Sequence, residues 1–207
     1  MKTAFVFPGQ GSQFVGMGQG LAEEYLERAN AILKFDLKQL CLEGPADTLK
    51  QTAIQQPAIF TVSAAIFDSL DKKPDMVAGH SLGEYSALYA AGSISFEDGV
   101  RTVHLRGKFM QEAVPQGVGA MAAVLGGERK TIEDICRQIG NVWPANYNSP
   151  GQLVISGKKE AVEQAAAKIK QAGAKRVIPL AVSAPFHSPL MGPAADKLAD
   201  ELGKIEI

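Results

Sequence analysis

The sequence predicts an α/β protein in which a smaller subdomain is inserted into a larger one. Short apolar runs alternate with segments of helical periodicity along the 207 residues, an order typical of α/β proteins. A second series of strands and helices begins near residue 117. Hydrophobic residues make up 46% of the chain, which is enough for an ordinary globular core.

The elements predicted for the larger part are a buried strand at residues 3–7, a helix at 57–70, a short strand at 75–78, a helix at 82–91 and a helix that follows Ser95. Pro57 falls in a predicted first turn, where proline is tolerated because the N–H groups there have no helical acceptor. Gly92 suits the left-handed residue that ends a helix. Ser95 and Asp98 have the spacing of a capping box, although Glu or Gln is usual at the second position.

From residue 117 onwards the predicted elements are a strand at 120–125, a helix at 130–139, an extended segment at 143–147, a strand at 152–156, a helix at 158–172 and a strand at 176–181. This order is typical of a split βαβ unit. We therefore predict a small subdomain at 117–182, inserted between the parts 1–116 and 183–207 of the larger one. A helix at 193–202 follows it.

Composition and charge argue against several functional classes. The formal net charge of −1 is not that of a dedicated nucleic-acid binder. No apolar stretch approaches the ~20 residues that span a bilayer, so we expect no membrane insertion. The 2 cysteines, Cys41 and Cys136, lie far apart and predict neither a disulfide framework nor a metal site. A soluble cytoplasmic protein is the resulting expectation.

The charge is unevenly distributed along the chain. Residues 101–180 carry 12 Lys and Arg against 6 Asp and Glu, a net charge of +6. Such a basic segment suits an anionic partner, but solvated helix faces also carry lysine. Both interpretations stay open at this point.

The motif most informative about chemistry is G-H-S-L-G at residues 79–83, between a predicted strand and a predicted helix. A nucleophile elbow has this setting, in which a tight turn presents the serine hydroxyl. The helix N-terminus then points its amides at developing negative charge. Ser81 is therefore the candidate nucleophile, and the alternative is a glycine-rich turn with an incidental serine.

A serine nucleophile needs a base, and the sequence contains 3 histidines. His187 lies in a proline-punctuated loop after the small subdomain and is the candidate base, the alternative being an exposed loop histidine. His80 adjoins the serine and is expected to shape the pocket, whereas His104 is expected to be structural. No acidic residue is marked as an orienting partner of His187.

Arg106 lies near the apolar face of its predicted helix, since Val103 and Met110 are its neighbours one turn away. A guanidinium there must be paired, because an unpaired buried charge is costly. The partner is either a carboxylate of the protein or a carboxylate of a substrate.

A glycine-rich segment, F-P-G-Q-G-S-Q, follows the first predicted strand at residues 7–13. It lacks the third glycine of a dinucleotide-binding fingerprint and the Gly-Lys-Ser/Thr of a P-loop. A loop of this kind can instead supply a backbone amide to an oxyanion hole.

Together these segments resemble the malonyl-CoA:acyl carrier protein transacylases of bacterial fatty acid synthesis. The landmarks that carry the resemblance are residues 5–13, 56–58, 78–88, 105–111, 119–124, 146–152 and 186–191. The resemblance implies a hydrolase-like larger subdomain with a parallel sheet and a ferredoxin-like inserted one. It also implies that malonyl-CoA and an acyl carrier protein are the substrates, and that no cofactor and no metal are needed.

The resemblance also implies a role for each site residue. Ser81 would take the malonyl group, His187 would act as general base and acid, and Arg106 would bind the free malonyl carboxylate. Backbone amides of Gln10 and Leu82 would form the oxyanion hole. The further binding residues that the resemblance implies are His80, Met110, Asn148 and Phe186, the last in the motif that favours malonyl over methylmalonyl.

The family chain continues well past residue 207, so the resemblance implies that this chain is shortened. Two other interpretations stay open. An α/β-hydrolase esterase or thioesterase would use the same elbow, together with a marked acid between serine and histidine and an H-G-G-G donor loop. An inactive, shortened chain would only bind the carrier protein.

Overall fold

A computed structural model of the chain describes residues 2–182 and 184–206. Ser183, where the larger subdomain is predicted to resume, lies outside the described residues, as do the two terminal residues. The chain divides into two compact units. The first comprises the described residues up to Lys108 and from Leu198 onwards, and the second is Phe109–Lys197. The predicted subdomain 117–182 falls within the second unit, and its bounds stay a prediction.

The first unit combines a parallel strand pair with helices. Its elements are β1 (Ala4–Phe7), α1 (Glu23–Leu33), α2 (Leu37–Leu42), α3 (Ala46–Leu49), α4 (Thr52–Asp68), β2 (Met76–Gly79), α5 (Gly83–Ala90) and most of α6 (Phe96–Glu112). The strands β1 and β2 pair in parallel. The predicted helix signals are confirmed: Gly92 has a φ of 75°, and the N–H of Asp98 donates to Oγ of Ser95 at 3.0 Å.

The core of the first unit is built around α4, in which every residue from Gln55 to Ala65 is buried. The predicted place of Pro57 in a first turn is wrong, because α4 begins five residues earlier. Pro57 has no N–H to donate to the carbonyl of Ala53. That carbonyl accepts instead from Nδ1 of His104 on α6 at 2.9 Å, so His104 is structural, as predicted.

The predicted burial of the first strand is also wrong. Phe5 and Phe7 pack against Phe67 of α4, with ring centroids 6.2 Å apart in both pairs. Val6 of β1 and Met76 of β2, which point to the opposite face, are 78% and 55% exposed. Alternate side chains of a strand face opposite ways, and a short apolar run does not reveal which face is covered.

The second unit contains a four-stranded antiparallel sheet in the order β4-β5-β3-β6. Its elements are β3 (Gly119–Leu125), α7 (Arg129–Ile139), β4 (Val142–Ser149), β5 (Gln152–Lys158), α8 (Lys159–Gln171), β6 (Arg176–Pro179) and the first part of α9 (Gly192–Leu202). Ala122 and Val124 of β3 pack with α7 and α8, whereas Met121 and Ala123 pack with a second apolar cluster. The sheet is therefore covered on both faces.

The chain is thus an α/β protein, and its described residues form one parallel and one antiparallel sheet. Its two cysteines are free thiols, Cys41 in the first unit and Cys136 in the second. Burial raises the pKa of Cys41 to about 12 and, with a smaller effect of Glu133, the pKa of Cys136 to about 11. No helix among the described residues is long and apolar enough to cross a membrane.

Candidate active site

Ser81 lies on a sharp turn between β2 and α5. Its φ of 52° is in the left-handed region, which residues with a Cβ atom adopt at an energetic cost. The N–H of Gly83 donates to the carbonyl of His80 at 2.9 Å, and the N–H of Glu84 donates to the carbonyl of Ser81 at 3.2 Å. The strand therefore passes directly into the helix through the serine, which confirms the predicted strand–turn–helix setting.

Glycines allow three backbone segments to meet at this turn. A Cβ atom on Gly79 would lie 1.9 Å from the carbonyl carbon of Gly83. A Cβ atom on Gly83 would lie 2.3 Å from the carbonyl oxygen of Phe7, and one on Gly9 would lie 2.6 Å from that of His80. Contacts this short exclude any side chain. Glycine at these positions therefore allows the loop after β1 to lie against the serine turn.

Arg106 reaches the serine from α6. Its Nη2 donates to Oγ of Ser81 at 3.1 Å, and its Nη1 donates to Oε1 of Gln56 at 2.8 Å. Its Cζ lies 5.7 Å from the ring centroid of Tyr85. All three partners are neutral, and no carboxylate among the residues that the structure describes forms an ion pair with Arg106.

The electrostatics of Arg106 favour an anionic ligand. Burial lowers its pKa, and the nearby Tyr85 and Glu84 act in the opposite direction. The guanidinium nevertheless stays charged at neutral pH, because the usual pKa of arginine is above 12. A partly buried cation with neutral partners attracts a carboxylate, which it can bind through two parallel hydrogen bonds. Such a carboxylate would lie next to the serine hydroxyl.

Gln56 is a site residue to which the sequence pattern assigned no role. Its side chain is 0% exposed, and its Nε2 donates to Oε1 of Gln10 at 3.4 Å. A chain of contacts therefore runs from Arg106 through Gln56 to Gln10, in the loop after β1. The available signal was a glutamine directly before Pro57, at the start of the largely apolar segment 57–66.

The other predicted residues of the first unit lie close to Ser81 in the chain. Leu82 is fully buried and directly precedes α5, whereas His80 is exposed. Gln10 is partly buried. The predicted oxyanion-hole role of the Gln10 and Leu82 amides stays a prediction, as does the pocket role of His80.

His187 lies in the second unit, at the tip of an anchored turn. It is exposed and has a φ of 56°. Beside it, Phe186 is buried at 5% exposure, and Oγ of Ser188 donates to the carbonyl of Pro185 at 2.7 Å. The N–H of Met191 donates back to the carbonyl of Ser188 at 2.9 Å. The loop is therefore held in place on both sides of the histidine.

The structure brings Ser81, Arg106 and Gln10 together in the first unit, with Gln56 as the link. The predicted residues that belong to the second unit are His187, Phe186, Met110 and Asn148. Met110 is buried in the same apolar cluster as Phe186, whereas Asn148 is exposed near the end of β4. The described residues contain no group of three or more His, Cys, Asp or Glu side chains that could hold a metal ion.

Comparison with known sequences identifies relatives along the whole chain. The family described as acyl transferase domain matches residues 4–207. The malonyl CoA-acyl carrier protein transacylase of Escherichia coli (strain K12) is 54% identical over an alignment of 217 residues. That alignment, gaps included, covers 99% of this chain and 70% of that protein. The protein of the same name from Bacillus subtilis (strain 168) is 49% identical over 219 residues, covering 100% of this chain and 69% of its own.

Solved structures agree with these sequence relatives. The malonyl CoA-acyl carrier protein transacylase from Coxiella burnetii superposes with a TM-score of 0.96 at 47% identity, covering 100% of this chain and 70% of that one. A malonyl-transacylase solved in complex with its type II PKS acyl-carrier protein superposes with a TM-score of 0.96 at 49% identity. That match covers 100% of this chain and 71% of the other.

Proposed function

Because this chain belongs to the acyl transferase domain family, we propose that it moves malonyl groups from malonyl-CoA to the phosphopantetheine thiol of an acyl carrier protein, in fatty acid synthesis. The observation that carries the proposal is the 3.1 Å contact between Nη2 of Arg106 and Oγ of Ser81. A cation at the nucleophile favours an acyl group that itself ends in a carboxylate, as malonyl does. Malonyl-CoA is a substrate of this reaction, which needs no cofactor.

In the first half of the proposed reaction, Oγ of Ser81 attacks the thioester carbon of malonyl-CoA. His187 takes the serine proton, the backbone amides of Gln10 and Leu82 stabilise the oxyanion, and the carbon–sulfur bond then breaks. The departing CoA sulfur takes the proton from His187. Arg106 holds the distal carboxylate throughout, which leaves a malonyl ester on the serine.

In the second half, His187 takes the proton of the carrier thiol, and the sulfur attacks the carbonyl carbon of the malonyl ester. The bond between that carbon and Oγ of Ser81 then breaks, and His187 gives the proton to Oγ. The proposed docking surface for an acidic carrier is the basic segment 101–180. In its favour, several of its cations are exposed, among them Lys168, Lys170 and Lys175. Others, such as Arg129 and Arg137, already pair with acidic neighbours on α7.

We propose binding roles for four further residues. His80, Met110 and Asn148 would contact the acyl group or its thioester arm. Phe186 would limit the pocket to malonyl by its bulk, and its burial within an anchored turn supports a fixed position for that ring. The two free cysteines agree with a reducing compartment, so the proposed location is the cytoplasm.

The finer architecture is also a proposal. The order β3-α7-β4-β5-α8-β6, with the strands arranged β4-β5-β3-β6, supports a ferredoxin-like subdomain at 117–182. The parallel pair β1–β2, with Ser81 on the turn into α5, supports a hydrolase-like subdomain formed by 1–116 and 183–207.

Intact-mass spectrometry after mixing with malonyl-CoA tests the proposed function. We expect a gain of one malonyl group, its loss in Ser81→Ala, and its retention in Ser69→Ala, which removes an exposed hydroxyl of the same unit. Addition of a phosphopantetheinylated carrier protein must then move the adduct to the carrier. Release of free malonate and CoA without a carrier would favour a thioesterase. A wild-type protein that stays unmodified would leave binding of the carrier protein as the remaining interpretation.

A further inference from the structure

We infer that Gln56 determines the charge class of the acyl group, because its neutral amide leaves the charge of Arg106 available to a substrate carboxylate. The inference rests on the proposed function and extends it to a residue that acts through Arg106. Gln56 is thus a positioning residue for specificity.

The contact geometry fixes how the Gln56 amide is oriented. The guanidinium of Arg106 can only donate, so the atom 2.8 Å from its Nη1 must be the acceptor Oε1. The amide nitrogen then points to Oε1 of Gln10 at 3.4 Å. Gln56 therefore gives Arg106 a hydrogen bond and a fixed direction without neutralising its charge.

A glutamate at the same position would change this balance. Its carboxylate would lie about as far from Nη1 as the amide oxygen now does, 2.8 Å, and would form an internal ion pair with Arg106. A second carboxylate, brought by the substrate, would then meet a neutralised arginine and a nearby negative charge. A neutral acyl group such as acetyl would not be affected in this way.

The backbone around this pair gives Gln56 little freedom to move away. Nδ1 of His104, two residues before Arg106, is bonded to the carbonyl of Ala53 at 2.9 Å. Gly107, directly after Arg106, approaches α4 so closely that a Cβ atom would lie 2.6 Å from the carbonyl oxygen of Thr52. The two helices are therefore held together on both sides of Arg106, and the contact between the side chains follows from the backbone.

Calorimetric binding of malonyl-CoA and acetyl-CoA tests the inference in a Ser81→Ala background, where no acyl transfer takes place. We expect the Ser81→Ala protein, the parent of the double variants, to bind malonyl-CoA more tightly than acetyl-CoA. Gln56→Glu should weaken malonyl-CoA binding by roughly 100-fold and change acetyl-CoA binding by less than about 3-fold. Gln56→Met loses the hydrogen bond but leaves the cation unneutralised, so it should retain the preference. Gln51→Glu, which adds the same charge at the exposed N-cap of α4, should change neither affinity.

Three results would overturn the inference. They are equal binding of both thioesters by the parent, an unchanged malonyl preference in Gln56→Glu, and a preference lost as fully in Gln56→Met as in Gln56→Glu. A Gln56→Glu protein that does not fold also contradicts it, because Arg106 is expected to pair with the new carboxylate. Transfer to a carrier is not measured in this experiment, so failure of the proposed function would be recognised separately.

Discussion

Ser81 occupies a backbone conformation that glycine adopts more readily than serine does. Its φ of 52° places the Cβ atom in an unfavourable position, and the surrounding glycines show how little space the turn has for other side chains. The exposed direction of the hydroxyl in an elbow depends on this conformation. The role proposed for Ser81 and the local stability of the turn are therefore opposed at this residue.

This opposition predicts a gain in stability when the side chain is removed entirely. Ser81→Gly should have a free energy of unfolding about 1 kcal/mol higher than Ser81→Ala, because both lack the hydroxyl and only glycine relieves the strain. Urea denaturation followed by circular dichroism measures the difference. Equal stability of the two variants would mean that the turn is not strained.

Arg106 is the residue on which the proposed substrate class depends most. Arg106→Ala should lower malonyl transfer by roughly 100-fold and raise the rate with acetyl-CoA, since the carboxylate loses its partner and the pocket becomes less polar. Steady-state transfer rates with both thioesters measure this. Arg101→Ala, which removes an exposed arginine of α6 paired with Asp98, is the matched control and should leave both rates unchanged. Malonyl transfer that survives in Arg106→Ala would contradict the carboxylate clamp.

For single residues, the sequence was informative where a local motif is typical of a particular chemistry. The G-x-S-x-G pattern and its neighbouring strand and helix predict Ser81 as the nucleophile, and the helical spacing predicts that Arg106 needs an anionic partner. The role of Gln56 could not be predicted in the same way. It depends on a contact between residues 50 positions apart, and no local pattern encodes such a contact.

Among the elements, the crossing of α4 and α6 decides where Arg106 lies. Gly107 is buried at this crossing, against the backbone of Thr52 and Ala53. The backbone atoms there cannot move aside as a flexible side chain would. The close approach of the two helices therefore depends on a residue without a side chain.

Gly107→Ala should separate the helices and destabilise the protein by about 2 kcal/mol, the usual cost of an overpacked contact. The arginine would move with its helix, so malonyl loading should fall together with Tm. Gly192→Ala is the control, because a Cβ atom there meets nothing within 4 Å. Thermal unfolding of both variants measures the effect, and an unchanged Tm in Gly107→Ala would show that α6 can shift at no cost.

Neighbouring residues in the sequence predict some features of the helices and strands and not others. The end of α5 shortly before Gly92 and the start of α6 directly after Ser95 were predictable, because caps are formed by residues close together in the chain. The interior position of Pro57 was not, because its missing hydrogen bond is compensated by His104 on a different helix. The exposure of Val6 was not predictable either, since burial depends on which other elements cover a strand.

At the scale of the whole molecule, each unit has its own apolar core. Leu26, Leu37 and Phe60 belong to the core of the first unit, and Val124, Ile155 and Ile169 to that of the second. Strands and helices follow one another along the chain in both units, and the subdomain bounds 1–116, 117–182 and 183–207 stay a prediction. Separate cores give each unit the means to open with its own free energy.

The reactivity of the two buried thiols can measure the unfolding of each unit separately. Cys41 belongs to the first core and Cys136 to the second, and raised pKa values keep both protonated and slow to alkylate in the folded chain. With rising urea concentration, the two thiols should become reactive at two different midpoints, as measured by alkylation of the individual cysteine peptides. A common midpoint would indicate that both units unfold together. Single Cys→Ala variants control for effects of one label on the other. Each half of the molecule thus contains its own natural reporter of unfolding.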